Sequence, residues 1–158
     1  MKTTYGNPCF QIALDEAWVC ENEKPEEGGL TFVNSADDVR LYISAGLINP
    51  KDRDLATTAT EMNAFALGSL ARDLEQRGGK LQKDVAAISV LPPGFQVETA
   101  AEVTGAPDVQ QQMLLVTVLH PLVWAVARMS SKTLRRQELQ KRWRALRDDF
   151  MLVQATRK

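Results

Sequence analysis

MLLVTVLHPLVWAVARM, running from Met113 to Met129, is the stretch whose reading decides the fold. Its apolar content and length come close to a membrane helix, which needs ~20 apolar residues. His120 and Pro121 interrupt it in the middle, and Arg128 stands near its end. Val, Thr and Trp favour strands, and His-Pro is a break signal. The run therefore reads as a β-hairpin from the centre of a sheet, buried on at least one face.

Downstream, Lys132 to Val153 has the period of a helix. Leu139, Trp143, Leu146 and Phe150 fall four, three and four residues apart. Arg135, Arg136, Lys141, Arg142, Arg144 and Arg147 lie between them, which predicts an amphipathic helix, apolar inward and basic outward. Upstream, Val85–Leu91 and Phe95–Val103 read as strands around the Pro92-Pro93-Gly94 turn. Before them, Asp54 to Gln76 carries Leu55, Ala59, Met62, Ala66, Leu70 and Leu74 at helical spacing. Asp54 is placed to cap that helix and Gly78-Gly79 to stop it. The first third is strand-like: Phe10–Leu14, Ala17–Cys20, then Leu30–Val33 and Val39–Ile43 joined by the turn Asn34–Asp38. A polar loop, ENEKPEEGG, covers 21–29.

Strands, helix, strands and helix without βαβ alternation indicate a single α+β domain over residues 1–158. The expected architecture is an antiparallel sheet with two long helices packed on one face, leaving the other face partly free.

Composition excludes several classes. The 158 residues are 44% hydrophobic and 25% charged, which rules out a wholly disordered chain or a collagen-like repeat. The formal net charge of -1 hides an asymmetry. Residues 1–131 hold 10 Lys/Arg against 17 Asp/Glu, whereas residues 132–158 hold 9 against 3. The chain is an acidic body with a basic end. Cys9 and Cys20 are too few for a disulfide framework or a zinc site, and His120 is the only histidine. Both cysteines are expected to be reduced, packed thiols. The polar start, Lys2 to Asn7, is not a signal peptide, so a cytoplasmic location is expected.

Signatures of catalysis are missing. Gly28-Gly29 and Gly78-Gly79 lack the residues of a phosphate-binding loop. The acidic pairs Asp15-Glu16, Glu26-Glu27, Asp37-Asp38 and Asp148-Asp149 have no evident partners for general acid–base work. The expectation is a protein without catalytic residues, cofactor or metal. The basic segment could meet phosphates, but its apolar residues are committed to packing and the acidic body repels a polyanion. No nucleic-acid partner is expected, and no direct membrane insertion.

Leu30, Phe32, Tyr42, Leu114, Val116 and Trp124 pose the functional question. If several lie on the free face, they form an apolar surface suited to a hydrophobic peptide. Gln110-Gln111-Gln112 would set amides beside it. The same residues could equally form ordinary core or a dimer interface.

The order of these elements resembles the PsbP-like fold, shared by the Ran-binding nuclear import factor and the DcrB-like bacterial proteins. Within it, the chain looks most like the Eag chaperones of type VI secretion. The likeness rests on Ile12-Ala-Leu-Asp-Glu-Ala-Trp18, on Leu30–Val33 followed by Leu41–Ser44, and on the long helix ending in Gly-Gly. It continues through Gln112 into His120-Pro121-Leu-Val-Trp124 and ends with Trp143 and Phe150. Ala45-Gly46 stands where that family usually has Arg. The resemblance implies a non-catalytic, dimeric adaptor that shields the N-terminal transmembrane helices of PAAR or Rhs effectors before export. By the same resemblance, Leu30, Phe32, Tyr42 and Leu114 would be the apolar cradle, with Gln112 and Asn63 as polar contacts. The alternative is a cytoplasmic immunity protein that inhibits a secreted toxin through its charged surface.

Overall fold

The computed structural model describes residues 2–7, 10–22, 29–47, 54–76, 78–83, 87–91, 94–104, 112–119, 123–147 and 150–152. Its strands are β1 (Thr3–Asn7), β2 (Phe10–Leu14), β3 (Val19–Asn22), β4 (Gly29–Asn34), β5 (Val39–Leu47), β6 (Lys80–Lys83), β7 (Ala87–Leu91), β8 (Gly94–Thr104), β9 (Gln112–Leu119), β10 (Val123–Ser131) and β11 (Phe150–Leu152). Helix α1 spans Leu55–Gln76, and α2 spans Arg136–Arg147.

The decisive hairpin forms as its composition predicts. Strands β9 and β10 pair antiparallel, from Trp124 opposite Leu119 to Ser131 opposite Gln112. They lie inside an eight-stranded antiparallel sheet of order β3-β4-β5-β10-β9-β8-β6, with β7 also paired to β8. The Asn34–Asp38 turn joins β4 to β5 as expected. Asn34 Oδ1 accepts from the Asp37 amide at 3.2 Å, and Asp38 takes the left-handed conformation at φ 55°. The residues between β9 and β10, His120 among them, lie outside the described residues, as does Cys9. Cys20 is half-buried against the core.

Helix α1 follows its sequence signals at both ends. Asp54 Oδ2 accepts from the Thr57 amide at 3.1 Å and from Thr57 Oγ1 at 2.9 Å, which satisfies a donor the helix leaves orphaned. At the other end Gly78 has φ 83°, its amide donates to Glu75 O, and the Gly79 amide donates to Leu74 O. These two bonds are a Schellman cap, and its left-handed residue suits glycine. Asp54→Ala is expected to cost about 1 kcal/mol, read from the midpoint of a urea titration.

Three expectations are corrected. First, α2 ends at Arg147, and β11 pairs with β2 from Phe150 opposite Ile12 to Leu152 opposite Phe10. Two adjacent carboxylates, Asp148-Asp149, follow the helix at its negative end, where they disfavour another turn. The open edge of β2 gains a backbone partner instead. Second, β1, β2 and β11 form a separate three-stranded sheet of order β1-β2-β11, so β2 and β3 belong to different sheets.

Third, the helices pack on opposite faces of the large sheet. Trp143 donates through Nε1 to Gln96, and with Leu139 it joins the cluster that holds Ala100, Leu114 and Val116. Leu70 and Leu74 of α1 instead join Ala101, Val103 and Met113. Those are even and odd positions of β8 and β9, and successive strand side chains point to opposite faces.

The main core therefore lies between the small sheet and α2 on one side and the large sheet on the other. Phe10, Ile12 and Leu14 of β2 pack there with Leu30, Phe32, Leu41, Ile43 and Met129. Helix α2 is pinned to it by polar contacts as well. Gln96 Oε1 accepts from Trp143 and from Arg147 Nη1, both at 3.3 Å, while Gln96 Nε2 donates to Glu98 at 2.7 Å. Arg142 pairs with Asp37 at 2.7 Å. Among the described residues, no helix is long and apolar enough to cross a membrane.

A candidate binding groove

Among the described residues, the second face of the large sheet is covered over only part of its width. Helix α1 rests on β8, β9 and β6, where Ala59 packs with Val97 and Leu119, and Leu70 and Leu74 pack with Ala101 and Met113. Beyond it, the strands β10, β5, β4 and β3 present the alternate residues of each strand to that side. Antiparallel pairing sets Arg128 opposite Tyr42, Val126 opposite Ser44 and Trp124 opposite Gly46. Tyr42, Ser44, Trp124, Val126 and Arg128 are all only half-buried.

These side chains floor a groove of about 440 Å³ whose wall is one flank of α1. Phe65, Ala66, Ser69, Leu70 and Asp73 form the wall, and Leu115 lies between wall and floor. Phe65 stands at the rim with 74% of its surface exposed. Phe65 extends the apolar lining of the groove to its rim, so that the exposed apolar surface there is contiguous. The Arg128 guanidinium lies 5.5 Å from the Tyr42 ring centroid, within cation–π range. The floor is thus apolar and aromatic, with a cation at one end and a carboxylate, Asp73, on the wall.

Of the six residues expected to contact a guest, Tyr42 alone lines this groove. Leu30, Phe32 and Leu114 are fully buried in the main core on the opposite face, where the small sheet and α2 cover them. Gln112 lies at the end of β9 on that same covered face, half-buried, and its Nε2 donates to Glu102 at 2.9 Å. Asn63 is buried under α1. Its Oδ1 accepts from Thr99 Oγ1 at 2.7 Å, and its Nδ2 donates to Thr117 Oγ1 at 3.2 Å and to Val97 O at 3.4 Å.

That arrangement makes Asn63 the polar pin between α1 and the sheet. Its removal strands two threonine hydroxyls in an interior where an unsatisfied group costs about 1–3 kcal/mol. Asn63→Ala is accordingly expected to lower stability by about 3 kcal/mol, the cavity adding to the lost bonds. Chemical denaturation measures this.

Phe65, Leu115, Val126 and Arg128 were not among the expected contacts. A signal for them exists in the sequence. Arg128 faces water on a central strand, so Val126 and Trp124, two and four residues away, share its face. Phe65 lies off the stripe of Ala59, Met62, Ala66, Leu70 and Leu74, so it cannot point at the sheet with them.

No family model matches the chain, and no curated protein matches it. Among solved structures it is similar to the solution structure of cyanobacterial PsbP (CyanoP) from Synechocystis sp. PCC 6803. The TM-score is 0.70 at 13% identity, covering 96% of this chain and 92% of that one. The chain has a PsbP-like fold. At that identity the likeness describes backbone architecture alone.

Proposed function

We propose that this protein is a non-catalytic adaptor chaperone whose groove between α1 and the uncovered strands holds an apolar helix of a partner protein. The guest is an N-terminal transmembrane helix of a type VI secretion effector of the PAAR or Rhs class, shielded from water before export. One observation carries the reading: an apolar groove of about 440 Å³ with a phenylalanine, Phe65, left 74% exposed at its rim. Apolar area in water costs about 25 cal/mol per Å², so a membrane helix awaiting export needs such a surface. Helix-in-groove recognition supplies it through side chains on one flank of the guest. The floor has Val126, Tyr42 and Trp124 for that contact, and Ser44 on the floor and Ser69 on the wall add polar atoms without charge.

Co-expression with fragments of an effector tests the role. The apolar N-terminal fragment, insoluble alone, is expected to co-purify in soluble form, and the isolated C-terminal toxin domain is not. Retention of the toxin domain alone would instead make the chain its inhibitor.

A further inference from the structure

We infer that Gly29 and Gly46 set the depth of the groove and so decide which helices it admits. The inference rests on the groove being the guest site. Both glycines lie on the uncovered face, and each is roofed by one of the aromatic rings of the floor. A Cβ added at Gly29 would stand 2.5 Å from Tyr42 Oη, and one added at Gly46 would stand 2.9 Å from the Trp124 indole. The rings therefore lie down across neighbouring strands instead of rising into the groove. Among the described residues, Gly78 is the glycine with positive φ. The backbone thus makes no demand for glycine at 29 or 46; the close approach of the ring does.

The wall shows the same economy of size. Ala66 and Ser69, three residues apart on one flank of α1, are small where the guest would lie beside it. Small contact residues let two helix axes come within about 8 Å. The two strands that floor the groove, β5 and β10, are together about 10 Å wide at ~4.8 Å spacing, and a helix with side chains is about 10 Å across. The space fits one helix, seated beside α1 as the second helix of that face. Its α1-facing flank would carry small residues, and its floor-facing flank large apolar ones over the flattened rings.

The test uses the full chain and a lysine-flanked Leu/Ala helical peptide of ~20 residues, with affinity read by fluorescence anisotropy. Gly29→Ala and Gly46→Ala are each expected to weaken binding by roughly tenfold or more while the urea midpoint stays near wild type. Adding Trp124→Leu to Gly46→Ala removes the lifted indole and is expected to restore most of the affinity. Glycine variants that bind the peptide as wild type does would overturn the inference and leave the chaperone reading standing. Binding lost in Gly46→Ala and not regained in the double variant would overturn it too, since ring position would not be the cause. A wild-type chain that holds no such peptide would overturn both.

Discussion

Phe32→Asp is expected to leave no cooperatively folded protein at room temperature. Phe32 has no exposed surface and pairs across strands with Leu41, and the Tyr5 ring meets it edge-on at a centroid distance of 5.1 Å. That contact joins the small sheet to the large one, so the position sits where the two layers meet. Truncating a buried phenylalanine costs about 3–5 kcal/mol, and an unpaired carboxylate in the cavity adds several more. The sum rivals the entire stability of about 5–15 kcal/mol that a domain of this size has. Near-ultraviolet circular dichroism and a urea titration read the result. A sharp transition within about 1 kcal/mol of wild type would contradict the placement of Phe32 in the core.

Val126→Asp is expected to do the reverse: fold, and lose the guest. Val126 is half-exposed in the middle of the groove floor, between Ser44 on β5 and Thr117 on β9. In the empty protein the new carboxylate stays hydrated, and the exchange of a β-branched residue costs about 1 kcal/mol. In the complex the guest strips that water away, and the buried charge costs several kcal/mol. Affinity for the apolar peptide should fall by at least about 100-fold, with Val126→Leu close to neutral. Isothermal titration gives the affinity and thermal unfolding the control. Equal loss of stability and binding would show that the residue acts through the fold.

Much of the architecture was legible in the sequence because its signals are local. His120-Pro121 within an apolar run reads as a hairpin without reference to anything distant, and the cap at Asp54 and the stop at Gly78-Gly79 are equally self-contained. What the sequence withheld depends on contacts between distant segments. Phe150 sits in helical phase with Trp143, yet its backbone is taken by the open edge of β2, far away in the chain. Thr3–Asn7 has almost no apolar signal and becomes a strand because β2 lies beside it.

The candidate site was the least legible part. Leu30, Phe32 and Leu114 are the kind of residues that line a cradle, but strand parity puts them on the face that the small sheet covers. A shift of one position separates Leu114 in the core from Leu115 in the groove. Which face stays open depends on where the second sheet lands, and its strands come from the two ends of the chain.

The proposed partner helix would lie beside α1 on β5 and β10, the strands that floor the groove. Photo-crosslinking of the co-purified complex tests it most directly, with a benzophenone amino acid placed at Phe65 in one variant and at Gln137, exposed on α2 across the sheet, in another. A crosslink from position 65 to the apolar N-terminal segment of the effector is expected, and none from 137. Crosslinks from 137 alone, or to the toxin domain from either position, would contradict it.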